Sequence, residues 1–152
     1  EEPLPANTTA ADVGRRDPQA ASRRLLVVDD EPGITAVLEE VLRSNGYSVE
    51  SAADGLAAME RIGSEHYDLV ITDLCMPKMD GEHLYKAVRE KFPQMASRMI
   101  FVTGDTVSTK SRAFLEWTGN RWFSKPFNIR EIEEVVGNFL RCEQPALACA
   151  TN

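Results

Sequence analysis

Five short apolar runs recur along the chain, and a polar group closes each one. Leu25-Leu26-Val27-Val28 runs into Asp29-Asp30-Glu31, and residues 47–52 lead to Asp54-Gly55. Leu69-Val70-Ile71 leads through Thr72 to Asp73, residues 99–102 lead to Thr103-Gly104-Asp105, and residues 121–124 lead to Lys125-Pro126-Phe127. A run such as Leu69-Val70-Ile71, apolar on both faces, predicts a strand in the middle of a sheet rather than at its surface. Between the runs the period changes to that of a helix. Ile34, Val37, Leu38, Val41 and Leu42 trace one buried helical face, opened by Pro32-Gly33 and closed by Asn45-Gly46. Leu56, Met59 and Ile62 mark a second helix, and Leu84, Val88 and Phe92 a third that ends near Pro93. A fourth is expected over about 106–117. Ile129, Ile132, Val135, Val136 and Phe139 form the face of a fifth, with Asn128 and Glu131 spaced as a capping box.

Strand and helix thus alternate five times with short connections. The economical fold is α/β: a doubly wound, five-stranded parallel sheet in the order 2-1-3-4-5, with five helices on its two faces. In such a sheet every strand ends at the same edge, and ligands bind there. Strands one and three are then neighbours, so Asp29, Asp30 and Asp73 converge. Carboxylates crowded together repel, and each has its pKa raised unless a cation joins them. An all-oxygen site of this kind suits Mg²⁺ or Mn²⁺. Lys125 adds a point charge fitted to phosphoryl oxygens, and Thr103 a hydroxyl. Asp73 is left as an acceptor carboxylate able to form an aspartyl phosphate. Phosphoryl transfer asks mainly for positioning and charge neutralisation, and this set supplies both.

Composition narrows the class. The chain has 152 residues, enough for one domain with a real core, and a formal charge of −7. That balance argues against a nucleic-acid surface. No apolar run approaches the roughly 20 residues of a membrane span, so no membrane contact is expected. The cysteines, Cys75, Cys142 and Cys149, are odd in number and lack metal-ligand spacing, which fits reduced thiols in the cytoplasm. Residues 1–22 contain three prolines and no apolar period, and are expected to be a disordered linker or tail. Residues 23–141 are the domain, and 142–152 a flexible tail.

The strand-end motifs together resemble those of the response-regulator receiver domains of two-component systems. The matching residues are Val27-Val28-Asp29-Asp30-Glu31, Thr72-Asp73-Leu74-Cys75-Met76-Pro77 with Asp80-Gly81, Phe101-Val102-Thr103-Gly104-Asp105, and Lys125-Pro126-Phe127. The resemblance implies a flavodoxin-like, CheY-like fold. It implies phosphorylation of Asp73 by the phosphohistidine of a histidine kinase or phosphotransfer domain. It further implies Mg²⁺ held by Asp30, Asp73 and the Cys75 backbone carbonyl, with Asp29 acting through water. Thr103 and Lys125 would grip the phosphoryl group, and Trp122 takes the place of the switch aromatic. The signal would be read on the surface of the fourth helix, fifth strand and fifth helix, by a downstream protein or by the chain's own kinase domains. Phe101 to Thr106 also resembles the receivers of hybrid sensor histidine kinases, and the Pro/Ala-rich segment ahead of the domain favours the C-terminal receiver of such a kinase over a stand-alone receiver or the receiver of a transcription regulator. Two positions depart from the common pattern. Cys75 stands where many relatives carry a residue that tunes hydrolysis, and Trp122 is bulkier than the usual switch residue.

The same residues admit other readings. Each of Asp29, Asp30, Asp73, Thr103 and Lys125 alone could be a strand end or a solvated turn. His66 and His83 read as surface residues. A haloacid-dehalogenase-like, Mg²⁺-dependent phosphatase also uses an Asp after a strand, but it wants an acid two residues on, where this chain has Cys75. A dinucleotide site would need Gly-x-Gly-x-x-Gly after the first strand. Asp29-Asp30-Glu31-Pro32-Gly33 would instead repel a pyrophosphate.

Overall fold

A computed structural model describes residues 23–76, 78–104 and 109–142. The elements run β1 (Arg24–Val28), α1 (Pro32–Ser44), β2 (Ser48–Ala52), α2 (Gly55–Ser64), β3 (Leu69–Asp73), α3 (Gly81–Lys91), α4 (Pro93–Ala96), β4 (Met99–Thr103), α5 (Thr109–Thr118), β5 (Trp122–Ser124) and α6 (Ile129–Cys142). The five strands form one sheet in the order β2-β1-β3-β4-β5, and every pairing is parallel. The expected strand order holds.

The apolar runs explain this layering. Every residue of β3 and β4 is buried, as strands covered on both faces must be. Alternate residues feed two separate cores. Leu25, Val27, Leu69, Ile71, Ile100 and Val102 meet Leu38 and Leu42 of α1 and Ile132, Val136 and Leu140 of α6. Leu26, Val28, Val70 and Phe101 face the other way, against Ala58 and Ile62 of α2, Leu84 and Val88 of α3, and Phe114 and Leu115 of α5. Phe101, Tyr85 and Phe114 pack edge to face with ring centres 5.4–5.8 Å apart.

The sequence reading differs from the structure in a few places. There are six helices among the described residues, not five. Pro93 ends α3 but serves as the first residue of the short α4, which buries Met95 and Ala96. Val37 and Leu56, expected on buried faces, are 43% and 51% exposed. Val37 lies at the edge of the α1 stripe, and Leu56 sits in the first turn of α2. Asn128 does cap α6, but through the Arg130 N–H at 2.8 Å rather than that of Glu131. The segments 1–22 and 143–152, and the first residues of the expected fourth helix, lie outside the described residues.

Candidate functional site at the carboxyl ends of the strands

Asp29 is the first residue past β1. Its N–H donates to Ala52 O at 3.1 Å, which extends the β1–β2 ladder by one residue. Its Oδ1 accepts the Glu31 N–H at 2.9 Å. That local turn delivers the chain to α1, where the Glu31 carbonyl accepts the N–H groups of Ile34 and Thr35. Asp73 is the last residue of β3, in register with Val102. Its Oδ1 accepts the Cys75 N–H at 3.2 Å. Because β1 and β3 are neighbours, oxygens of Asp29, Asp30 and Asp73 all lie within 4.8 Å of one another. Asp29 and Asp73 are each 4% exposed, whereas Asp30 is open to solvent.

Lys125 reaches this cluster from the turn after β5, directly ahead of its cis peptide bond to Pro126. Its Nζ lies 3.0 Å from Asp73 Oδ2, 3.2 Å from Asp29 Oδ2 and 2.8 Å from Glu31 Oε1. The backbone of Lys125 is fixed as well, since its N–H donates to Thr103 O at 2.8 Å. Burial works to discharge the ammonium, but hydrogen bonds to Glu31 and Asp73 and the charge of Asp29 outweigh it. Lys125 is held above its ordinary 10.5 and stays a cation. Burial pushes the Asp29 carboxyl above its ordinary 3.8; the Asp73 charge adds to this, while the Glu31 N–H and Lys125 oppose it.

The structure thus brings Asp29, Asp30, Asp73 and Lys125 together. Thr103, fully buried, ends β4 one residue past the partner of Asp73. The Cys75 side chain is exposed beside Asp73. Trp122 stands apart, 36% exposed on the edge strand and two residues before the partner of Thr103. His83 is a surface residue whose N–H is taken by the α3 cap, Asp80 Oδ1, at 2.9 Å. The donor set of the cluster is carboxylate oxygen only, which fits a hard divalent cation. A carboxylate flanked by such a cation and by an ammonium can act as a nucleophile toward a phosphoryl group.

Two features were not read from the sequence. One is the ion pair of Glu31 with Lys125, although the acid directly after Asp29-Asp30 was a visible signal. The other is the fastening of the loop after Asp73. Gly81 N–H donates to Leu74 O, and Gly55 N–H to Met79 O, both at 3.0 Å. A Cβ on Gly55 would come 2.5 Å from that Met79 oxygen. Between these two contacts Lys78 adopts a left-handed φ of 66°, with its Nζ 3.7 Å from Asp54 Oδ2.

Residues 25–137 match the response regulator receiver domain family. The chain is 34% identical over 119 residues to sporulation initiation phosphotransferase F of Bacillus subtilis, covering 78% of this chain and 94% of that protein. It is 31% identical over 120 residues to the alkaline phosphatase synthesis transcriptional regulatory protein PhoP of the same organism, covering 79% of this chain and 49% of PhoP. The chain therefore spans about half the length of several curated relatives it matches. Among solved structures it is similar to the response regulator TrrA of Thermotoga maritima, determined in complex with Mg²⁺ and beryllofluoride. That match has 34% identity, a TM-score of 0.67, and coverage of 77% of this chain and 98% of TrrA. The match over residues 25–137 and the fold it accompanies show that the chain belongs to the response regulator receiver domains, the phosphoacceptor modules of two-component signalling.

Proposed function

We propose that Asp73 is the phosphoacceptor, and that it takes its phosphoryl group from a phosphohistidine on a histidine kinase or phosphotransfer protein in the cytoplasm. The carrying observation is the position of Lys125, bonded to Asp73 at 3.0 Å inside a cluster of three carboxylates. In the reaction an Asp73 oxygen attacks phosphorus. The O–P bond forms, the N–P bond breaks, and its electron pair stays on the imidazole nitrogen. Lys125 holds Asp73 in place and offers an N–H to the arriving oxygens, and Thr103 offers its hydroxyl. Asp30 and Asp73 would hold Mg²⁺ directly, with the Cys75 carbonyl, and Asp29 through water. When bound there, the ion supplies positive charge that offsets the carboxylate repulsion and neutralises phosphoryl oxygens. The Mg²⁺–beryllofluoride complex of TrrA supports this reading. The output surface is that of α5, β5 and α6, with Trp122 on β5 as its reporter.

The test is acetyl phosphate with Mg²⁺, read by intact-mass spectrometry. The wild-type chain gains one phosphoryl group and Asp73→Asn gains none. Equal labelling of both would remove Asp73 from the role. Steady release of phosphate from small phosphoesters would instead favour a phosphatase.

A further inference from the structure

An ammonium group has three N–H donors. Lys125 has three carboxylates around it: Glu31 at 2.8 Å, Asp73 at 3.0 Å and Asp29 at 3.2 Å. Two of its donors go to Glu31 and Asp73, and Asp29 flanks the ammonium as an ion pair. A phosphoryl oxygen gripped by Lys125 therefore competes with carboxylates already there.

The three differ sharply in what withdrawal would cost. The side chains of Asp29 and Asp73 are 3% and 5% exposed, so water cannot replace the ammonium there without opening the site. The Glu31 side chain is 60% exposed, and water replaces its partner at little cost. Its main chain is tied on both sides, by the N–H to Asp29 Oδ1 and by the carbonyl to the first turn of α1. The side chain can therefore swing away while the backbone of the acidic turn stays in place.

We infer that Glu31 is a positioning residue, a displaceable third carboxylate that holds the Lys125 ammonium at the site until a phosphoryl group on Asp73 replaces it. This rests on the reading of Asp73 as acceptor. Its consequence is competition: the phosphoryl group has to displace Glu31, so the site binds a phosphoryl mimic less tightly than it would without that carboxylate. An exposed ion pair of this kind corresponds to about a two- to fivefold effect on affinity.

The experiment is a calorimetric titration with beryllofluoride in saturating Mg²⁺ of the wild-type chain, Glu31→Gln, Glu31→Asp and Asp73→Asn. Thermal melts confirm that each variant is folded. Asp keeps the charge but is one methylene too short to hold Lys125, so it separates the contact from the general field. Gln and Asp are both expected to bind about two- to fivefold tighter than wild type. With acetyl phosphate they should lower the half-saturating concentration and leave the maximal rate unchanged. If neither variant changes the affinity, if both weaken it, or if Gln binds tighter while Asp matches wild type, the inference is overturned. No binding to wild type, or undiminished binding to Asp73→Asn, would remove the acceptor assignment, and this inference with it.

Discussion

The α-carbon of Gly81 is pressed against the carbonyl of Asp73. A Cβ at that position would sit 2.5 Å from Asp73 O and 2.9 Å from Leu74 Cα. Both are backbone atoms, so no side chain can turn aside to make room. Gly81→Ala should lower stability by about 2 kcal/mol, the scale of overpacking in a dense interior. The displaced peptide carries the acceptor, so labelling by acetyl phosphate should also slow. Urea denaturation and mass spectrometry check the two effects; an unchanged midpoint and rate would show that the contact relaxes freely.

The acidic cluster should cost stability when no cation is bound. The Asp29 carboxyl is raised above 3.8 by burial first and by Asp73 second. A carboxyl with a raised pKa holds its proton longer in the folded chain than in the unfolded one. Stability therefore falls as pH climbs from 3.8 through the raised value, and the whole penalty is present at pH 7. Asp29→Asn keeps an oxygen for the Glu31 N–H and removes the charge. It should stabilise the Mg²⁺-free protein by about 1 kcal/mol at pH 7, and the gain should vanish below pH 3.8. Added Mg²⁺ should raise the melting temperature of wild type more than that of the variant. A variant less stable than wild type at pH 7 would contradict this.

Asn120 ties the start of β4 to the turn that precedes β5. Its Nδ2 donates to Ala96 O and to Met99 O, both at 2.8 Å. Asn120→Ala leaves two part-buried carbonyls to find other donors, and about 1–3 kcal/mol should be lost. The acceptor chemistry lies at the other end of the strands and should survive. Denaturant midpoints and the extent of acetyl phosphate labelling separate these outcomes.

Coupling from the site to β5 is readable through Trp122. In a Trp117→Phe background it is the sole tryptophan, already 36% exposed. If a phosphoryl group draws Thr103 inward and repacks α5, β5 and α6, beryllofluoride with Mg²⁺ should shift Trp122 emission and its quenching by iodide. Identical spectra with and without the mimic would break the proposed link.

What the chain reveals locally and what it hides follow a physical division. The strand ends were legible because Leu69-Val70-Ile71 and its counterparts are apolar on both faces and stop abruptly at charge. The strand order then brought Asp29, Asp30 and Asp73 together without any knowledge of side-chain positions. A helical period gives the direction of a face but not its width, so Val37 and Leu56 fall outside the stripe that is buried. The turn Pro93–Ala96 is too short to show a period. The Glu31–Lys125 pair joins residues 94 apart in sequence, and only folding sets its distance. The closeness of Gly81 to Asp73 is a matter of missing volume, which a single sequence does not display.

Gly55 and Gly81 have a further consequence for what the chain can absorb. Both ends of the segment after Asp73 are fastened where there is no room for a methyl group, so that segment is a spacer of fixed length. An inserted or deleted residue there has no slack to draw on, and the acceptor itself would have to move. Gly119, at φ +73° with nothing within 4 Å of a Cβ, sits on open ground at the end of α5. That space does not free the turn, because its φ favours glycine and the Asn120 tie follows directly; the span from Leu74 to Asp80 has no such space and has to keep its count.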